Sequence, residues 1–378
     1  MAIVAYTVLI QLPELREATA SRFALLGFWV IALLICALVA KIRRSLVFTG
    51  LLTCVLAFDC YSILLEIIKD SGYTISPLFY NINLTLLFLL VGYLVSTLIT
   101  PLVMLRICKT YALAVLVITP YFIKNYFSLQ HIFTSKNSLG PIIVYAAIIV
   151  TVIFHFQSRL ANFIKWSVVV WLIACVFMLI NRASIASIVV LTLYYILYCL
   201  PTLKKKLIAI IVLVVFFGVC LSNSTILQTL QFATRMDLVS GGMDEFSSGR
   251  VTIFDDVKQQ FTDSPIVGVG QLYVENFHSS VLVQVGILGS IPVFLIYLYP
   301  IWSFALNRYR VNDDILARLI ALMTVHGVVI SCFEEQAPFG QGSTYFILWL
   351  MIGYYIGYNA CCRTSPLPAP VAVTGEMR

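Results

Sequence analysis

Charged residues are scarce in this chain. They make up 11% of its 378 residues, whereas 61% of the residues are hydrophobic. A soluble globular domain carries roughly 25% charged residues, so this class is excluded. The apolar residues come in long blocks, and about 20 in a row can cross a bilayer as a helix. Because a backbone in lipid must satisfy its own hydrogen bonds, the sequence predicts an all-α polytopic membrane protein.

Signatures of nucleotide, metal and redox sites are missing. The sequence has no Walker A motif, no DxD motif and no histidine–cysteine cluster, and "GVGQ" matches no dinucleotide fingerprint. Most of the ten cysteines lie inside apolar blocks, without a CxxC pair. The net charge of +7 comes from short basic clusters between those blocks, which does not indicate nucleic acid. We therefore expect no cofactor, no metal and no nucleic-acid partner.

Eleven apolar segments predict spanning helices, and a further short span within residues 2–20 would make twelve. The positive-inside rule places the basic connections between them in the cytoplasm, so the long polar loop 223–277 faces outward. The predicted organisation is one transmembrane domain, residues 1–363, that includes this periplasmic loop. A Pro-rich tail, 364–378, is predicted to be disordered and cytoplasmic. The eleven segments lie near residues 23–40, 45–68, 82–104, 110–123, 141–157, 163–180, 183–200, 207–222, 278–302, 315–333 and 344–358.

The outward loop contains one segment with helical periodicity. In "SSGRVTIFDDVKQQF" the residues Val251, Phe254, Val257 and Phe261 recur at roughly helical spacing. This pattern predicts a short amphipathic helix lying on the outer membrane surface. The stretch "DSPIVGVG", rich in proline and glycine, predicts a turn after it.

Two basic residues begin helices on the predicted outer side. Arg182, in "LINRASIAS", is a cation at a helix N-terminus, which is unfavourable unless an anion joins it. Arginine together with free helix N–H groups favours a phosphate site. Arg250 opens the amphipathic helix of the loop. The alternative for Arg182 is an interfacial side chain that reaches lipid headgroups.

His278 stands at the head of "HSSVLVQVGILG", also on the outer side. The positive end of a helix disfavours a charged imidazole, so the neutral ring is expected to accept a proton from a hydroxyl. The alternative is a polar cap at the interface, with Ser279 and Ser280 in the same role. His155 and His326 lie inside apolar blocks and are expected to serve helix packing.

Acidic residues offer further candidates. Glu334 and Glu335 follow a predicted span on the outer side, where they would orient a basic residue or contact a sugar hydroxyl; the alternative is a pair of solvated loop charges. Asp59 and Glu66 are seven residues apart on one face of the second predicted span, a pattern typical of a polar cavity or a pairing with a basic residue.

Four motifs follow one another in a familiar order. "NRASIAS", "SGRVTIFDDV", "SPIVGVGQ" and "HSSVLVQVGILG" together resemble the O-antigen polymerase and ligase superfamily of bacterial inner-membrane proteins. The motifs cover roughly residues 167–295. Asn181 stands where the family has serine, Ser279 where asparagine is commonest, and the spacing from His278 to Gly286 is about one helical turn shorter than usual.

The resemblance implies a fold similar to C-type membrane glycosyltransferases and a metal-independent transfer of glycan from undecaprenyl diphosphate at the periplasmic face. Arg182 and Arg250 match the family arginines that neutralise the diphosphate, and His278 matches the histidine that activates the acceptor hydroxyl. We expect Arg235 and Glu335 to join Arg182 and Arg250 in binding substrate. The implied partners are lipid-linked glycan donor and acceptor, the bilayer, a chain-length regulator and a flippase.

The weakened histidine motif favours an O-antigen polymerase, which passes the growing chain to the next lipid-linked repeat unit. The first alternative is an O-antigen ligase, which moves the glycan to lipid A-core. A second alternative, from another class, is a lipid-linked oligosaccharide flippase or transporter. A transporter is expected to have paired halves with discontinuous helices, and the sequence shows no internal repeat.

Overall fold

A computed structural model describes residues 1–12, 15, 18–41, 43–69, 76–128, 136–222, 224, 228, 231, 250–335, 337–340 and 344–362. Every regular element in these ranges is a helix. The predicted tail 364–378 lies outside the described residues, as do most residues of the loop 223–277 that precede Arg250, Arg235 among them, and the side chain of Arg250.

The chain forms a bundle of helices, and a helix lies at each of the eleven predicted segments. Two helices, α8 and α11, continue into a π-helical turn, Tyr195–Cys199 and Ile301–Ala305 respectively. The helices are α1 (Ala2–Leu9), α2 (Thr19–Val39), α3 (Leu46–Lys69), α4 (Pro77–Val95), α5 (Pro101–Ser128), α6 (Lys136–Ile153), α7 (Arg159–Met178), α8 (Arg182–Tyr194), α9 (Leu203–Ser222), α10 (Arg250–Asp263), α11 (Phe277–Pro300), α12 (Arg308–Asp313), α13 (Ile315–Ser331) and α14 (Phe346–Cys362).

Length and composition agree with a multi-pass membrane protein. Among the described residues, 7 helices are long and apolar enough to cross a membrane: α2, α3, α4, α5, α7, α8 and α11. Three more, α6, α13 and α14, are apolar but shorter. The membrane character of the fold is therefore confirmed, whereas a count of eleven spans stays a prediction.

The boundaries of α4 and α5 differ from the sequence-based prediction. The predicted segment 82–104 runs across a break, because α4 ends at Val95 and α5 begins at Pro101. Proline has no N–H and a fixed φ that suits the first helical turn, so Pro101 starts a new helix where hydropathy alone continues the old one. Pro77 starts α4 in the same way, and the Ser76 side chain accepts from Phe79 N at 3.2 Å.

The N-terminal helix is too short to span. An α-helix of 8 residues rises about 12 Å, against a hydrocarbon core of about 30 Å. The helix packs against α5 and α2, and Trp29 Nε1 donates to Thr7 Oγ1 at 3.1 Å. The described part of 2–20 thus forms no twelfth spanning helix.

Glycines bring α4 and α14 together at the centre of the bundle. A Cβ on Gly92 would overlap the Leu350 carbonyl, and one on Gly353 would overlap the Leu89 carbonyl. Small residues at such positions let membrane helices approach closely enough for backbone contact. Helix α14 also binds the loop between α13 and α14, because Trp349 Nε1 donates to Pro338 O at 2.8 Å.

The bundle has two chemically different ends. Antiparallel packing of α8 and α13 brings the start of α8 beside the end of α13, where Ser187 Oγ and His326 Nδ1 are 2.6 Å apart. The start of α11 joins them, because Asn276 Nδ2 donates to Cys332 O at 3.0 Å. We call this the polar end. Its buried polar side chains are Asn81, Thr85, Ser138, Asn181, Ser184, Ser187, Ser280, Gln284, His326, Ser331, Glu334, Glu335 and Thr344.

The opposite end, the basic end, collects cationic side chains. Arg43 Nη1 donates to Cys361 O at 3.0 Å, which ties the start of α3 to the end of α14. Arg318 Nε donates to Val311 O at 2.9 Å at the start of α13. The connections at this end include the clusters that the positive-inside rule assigns to the cytoplasm.

Candidate functional site

Helix α11 is broken at Gly286 and folds back on itself. Gly286 has φ 65° and ψ −174°, outside the helical region. The His278 ring lies 5.2 Å from the Tyr297 ring and 6.1 Å from the Phe294 ring. In a continuous helix residues 278 and 297 would be about 28 Å apart. The two halves, α11a (277–285) and α11b (287–300), therefore form a helical hairpin.

The helix predicted over 278–302 is thus interrupted at Gly286 rather than continuous. Residues 287–305, which are α11b and the π-helical turn, rise about 28 Å and are long enough to cross the bilayer alone. The short half α11a runs beside them. Its first turn lies next to the end of α13, through the bond from Asn276 to Cys332.

A loop completes the hydrogen bonds that the break interrupts. Residues 264–270, the break loop, pair with the backbone on both sides of Gly286. The bonds are Ile287 N to Pro265 O at 2.9 Å, Leu288 N to Ile266 O at 3.2 Å, Val269 N to Val283 O at 2.9 Å and Gly270 N to Gln284 O at 3.0 Å. Tyr61 Oη donates to Val285 O at 2.8 Å and reaches Val267 O at 3.2 Å. Irregular backbone at membrane depth is tolerated only where protein satisfies it in this way.

Glycine is required on both sides of this pairing. Gly268 and Gly286 have φ of +76° and +65°, which side chains with a Cβ rarely adopt. A Cβ on Gly268 would overlap Gln284 O, and one on Gly286 would overlap Ile266 O. The predicted turn "DSPIVGVG" and the glycine of "VQVGILG" are therefore two parts of one structure.

His278 lies in the first turn of α11a, half-buried against α11b. The helix cap is Asn276, whose side chain accepts from Ser279 N at 3.0 Å. The cap is therefore Asn276. The alternative interpretation had given this role to His278, Ser279 and Ser280. His278 also does not face outward from the head of a straight helix, because the fold-back turns its ring onto Phe294 and Tyr297.

Glu335 is buried in a polar cluster beside α11a. Its side chain is 9% exposed, and Oε1 accepts from Ser280 Oγ at 3.2 Å and from Gln284 Nε2 at 2.8 Å. The alternative of a solvated loop charge is therefore wrong. Glu334 is equally buried.

Gln284 holds this cluster together and was missed in the sequence. Its Nε2 also donates to Leu272 O at 2.6 Å, so one amide joins α11a, the segment before it and the loop after α13. Because a carbonyl and a carboxylate oxygen both accept, the nitrogen must face them. The available signal was a single glutamine inside the apolar run "VLVQVGIL", since a polar residue at such a position needs a partner.

Arg182 is the first residue of α8, as predicted, and lies at the polar end. Asn181 caps the helix, because its Oδ1 accepts from Ser184 N at 2.9 Å. Asparagine caps as well as serine, so this helix start does not require the serine found in the superfamily that the sequence resembles. The Arg182 side chain is half-buried.

Two further histidines and Asp59 lie in different surroundings, whereas His131 is outside the described residues. His326 is fully buried, with Nδ1 against Ser187 and its ring 5.3 Å from that of Tyr145, in keeping with helix packing. His155 is exposed between α6 and α7, not inside an apolar helix as predicted, because α6 ends at Ile153. Asp59 Oδ1 accepts from Asn83 Nδ2 at 2.9 Å.

The helix that Arg250 begins, α10, packs against the hairpin. The side chain of Val257 is 7% exposed and contacts Val274 and Val283. Phe261 packs on the same cluster. The expected helix is confirmed, but this part of its apolar face contacts α11a rather than the membrane surface. The side chains of Arg235 and Arg250 lie outside the described residues.

The polar end thus combines a guanidinium at a helix start, an imidazole and a buried carboxylate, a set that suits an anionic group next to hydroxyl groups. Among the described residues no group of histidine, cysteine and acidic side chains is placed to hold a metal. Compared with protein-family models and with curated proteins, the chain matches none.

Proposed function

We propose that the protein is an O-antigen polymerase of the bacterial inner membrane. It transfers the growing glycan from undecaprenyl diphosphate to the next lipid-linked repeat unit at the periplasmic face, using the polar end as its site. The motif resemblance supports the reaction class. The structural observation that carries the proposal is the gathering of Arg182, α11a with His278, and Glu335 at one end of the bundle.

The proposed reaction is a substitution at the anomeric carbon of the donor. The acceptor oxygen forms the new glycosidic bond while the bond from that carbon to the diphosphate oxygen breaks, and the electron pair stays on the diphosphate. The leaving group gains negative charge, which the guanidinium groups of Arg182 and Arg250 stabilise. His278 takes the proton from the acceptor hydroxyl.

Glu335 binds sugar hydroxyls in this proposal. Gln284 and Ser280 hold one of its carboxylate oxygens, and a carboxylate has about four lone-pair positions for hydrogen bonds. A carboxylate held in this way favours hydroxyl-bearing ligands over anions. Since the diphosphate needs cations and the glycan needs acceptors, Arg182 and Glu335 suit different parts of one lipid-linked glycan.

The structure favours one alternative from a different class. Discontinuous helices are typical of transporters, where they line substrate sites near the bilayer centre. Helix α11, interrupted at Gly286, is discontinuous in this sense. A lipid-linked oligosaccharide flippase is therefore the second candidate. A ligase shares the proposed chemistry and differs in its acceptor.

Reconstitution distinguishes these functions. The purified protein in liposomes is given lipid-linked repeat units, with and without lipid A-core. A polymerase produces a ladder of lipid-linked chains from the repeat units alone, and a ligase produces glycosylated lipid A-core only when that acceptor is present. A flippase moves the repeat unit across the bilayer without a new glycosidic bond, and this result would refute the transferase proposal.

A further inference from the structure

An apolar cleft runs along the side of the bundle between α6, α7 and α8. Its volume is about 260 Å³, and it is lined by residues within 143–151 of α6, 166–176 of α7 and 188–192 of α8, together with Tyr195 of the π-helical turn and Leu322 of α13. Trp166, on its rim, is 51% exposed, so the cleft opens on the outer face of the bundle. The lined stretch of α6 is about 12 Å long, which accommodates much of one lipid tail.

A buried lysine lies beside the cleft at the basic end, in contact with two residues of its lining. Lys165 is 7% exposed, and its Nζ donates to Thr151 O at 2.8 Å. It lies 5.1 Å from the centre of the Trp166 ring, and both Thr151 and Trp166 line the cleft. A lysine near a membrane interface ordinarily extends its ammonium group to water, whereas this one turns inward. Among the described residues it has no carboxylate within ion-pair distance, and a buried charge without a counter-charge is unfavourable.

Other cations surround the same mouth. Lys109 Nζ lies 5.2 Å from the centre of the Phe154 ring, next in sequence to the end of α6. Although the His155 side chain is exposed overall, partial desolvation of its ring and then the positive charges of Lys165 and Arg318 lower its pKa, so these groups share one neighbourhood. The mouth of the cleft is therefore positively charged, and its interior is apolar.

We propose that this cleft binds an anionic phospholipid of the leaflet at the basic end, with its phosphate on Lys165 and one acyl chain between α6, α7 and α8. Basic pockets between membrane helices bind anionic headgroups in this manner. The apolar interior favours a lipid over free phosphate. The choice of a structural lipid over the lipid-linked glycan rests on the proposed function, which places the glycan at the opposite end with Arg182. The anionic headgroup and the acyl chain follow from the cleft and its lysine alone.

Quenching of Trp166 fluorescence by brominated lipids tests the site. The purified full-length protein in detergent is titrated with brominated phosphatidylglycerol and, separately, brominated phosphatidylcholine, and a Trp166→Phe variant supplies the signal of the other tryptophans. One lysine contact with an anionic lipid corresponds to about fivefold in affinity. We therefore expect phosphatidylglycerol to quench at about fivefold lower concentration. Lys165→Gln should remove this preference, and Lys41→Gln, an exposed lysine at the same end, should retain it.

A second variant and two competitors complete the test. Ala147→Phe fills the cleft, since Ala147 lines it, and should weaken quenching by both lipids even if Lys165→Gln fails to fold. Equal quenching by the two lipids in the wild type would overturn the proposal, as would a preference that survives Lys165→Gln. Inorganic phosphate that displaces the lipid at similar concentration would identify a free-anion site instead. Tighter binding of a polyprenyl diphosphate would identify a substrate site.

Discussion

In the proposed function Arg182 binds the diphosphate because of its position at a helix start. Asn181 caps α8 and leaves Arg182 in the first helical turn at the polar end. The helix dipole alone makes a cation at this N-terminus unfavourable. A bound diphosphate would bring negative charge next to both the helix end and the guanidinium group, and the interaction would become favourable. Because lysine cannot reproduce a bidentate contact, Arg182→Lys should reduce glycan transfer about 10²-fold or more. The check is the rate of polymer formation, with Arg44→Lys at the basic end as the control; equal loss in both variants would argue against a specific role.

His278 gives a second prediction at this scale. Its ring is held by Phe294 and Tyr297, so its orientation survives without a ligand. Removing a general base costs roughly 10²–10⁴-fold in rate. We expect His278→Ala to lose that much transfer while keeping donor binding, and His278→Gln to recover part of it only if the ring merely donates or accepts a hydrogen bond. Unchanged chain extension by His278→Ala would leave the residue with a packing role.

Loss of the Gln284 amide is expected to lower the stability of the protein. Replacing it by methionine leaves the Leu272 carbonyl without its amide donor and removes one donor from Glu335, which keeps Ser280. An unsatisfied buried polar group costs about 1–3 kcal/mol. Thermal unfolding in detergent should show a lower midpoint for Gln284→Met. The matched control is Ser290→Ala, because Ser290 Oγ donates only to Ile287 O within its own helix. A control as destabilised as Gln284→Met would contradict the cluster's role.

Individual residues were predictable where the chemistry is local. The order N-R-A-S marks the start of α8 because the cap and its N–H donor are three residues apart. Glu335 could not be distinguished from a solvated charge, since its partner Gln284 is 51 residues away in sequence. Burial of a polar cluster depends on long-range packing, which a single sequence does not display.

At the scale of elements the broken helix α11 is the main difference between prediction and structure. Hydropathy over 278–302 is continuous, and the reason for the break lies elsewhere, in the break loop whose carbonyls accept from Ile287 and Leu288. The shorter spacing from His278 to Gly286 was visible in sequence, but its consequence for the backbone was not. Helix positions were predictable from apolar blocks, and the missed boundary at Pro101 shows that a starting proline outweighs hydropathy.

Gly286 tests this element. Gly286→Ala places a Cβ against the Ile266 carbonyl at a positive φ, and strain of this kind costs about 1–3 kcal/mol. We expect a lower unfolding midpoint and reduced transfer, since α11a carries His278. Gly50→Ala is the control, because no heavy atom lies within 4 Å of its added Cβ. Equal behaviour of the two variants would mean that the hairpin does not depend on the break loop.

At the scale of the whole molecule, the all-α membrane class follows from composition alone, because no soluble fold buries so much apolar surface with so few charges. The two ends of the bundle also follow the alternation of basic connections. Sidedness stays a prediction: an alkaline phosphatase fusion at Gly242 should be active, and a fusion at Lys204 should not. Activity of the Lys204 fusion alone would invert the assignment and move the polar end to the cytoplasm.

Glycan transfer at the polar end can be measured directly in a purified system. Purified wild-type protein, Arg182→Lys and His278→Ala are incubated with lipid-linked repeat units, and the products are separated by length. We predict a ladder of extended chains from the wild type and at most the starting unit from both variants, with all three proteins equally folded. Ladders of equal length from the variants, or translocation of the repeat unit by wild type without any extension, would contradict the proposed function.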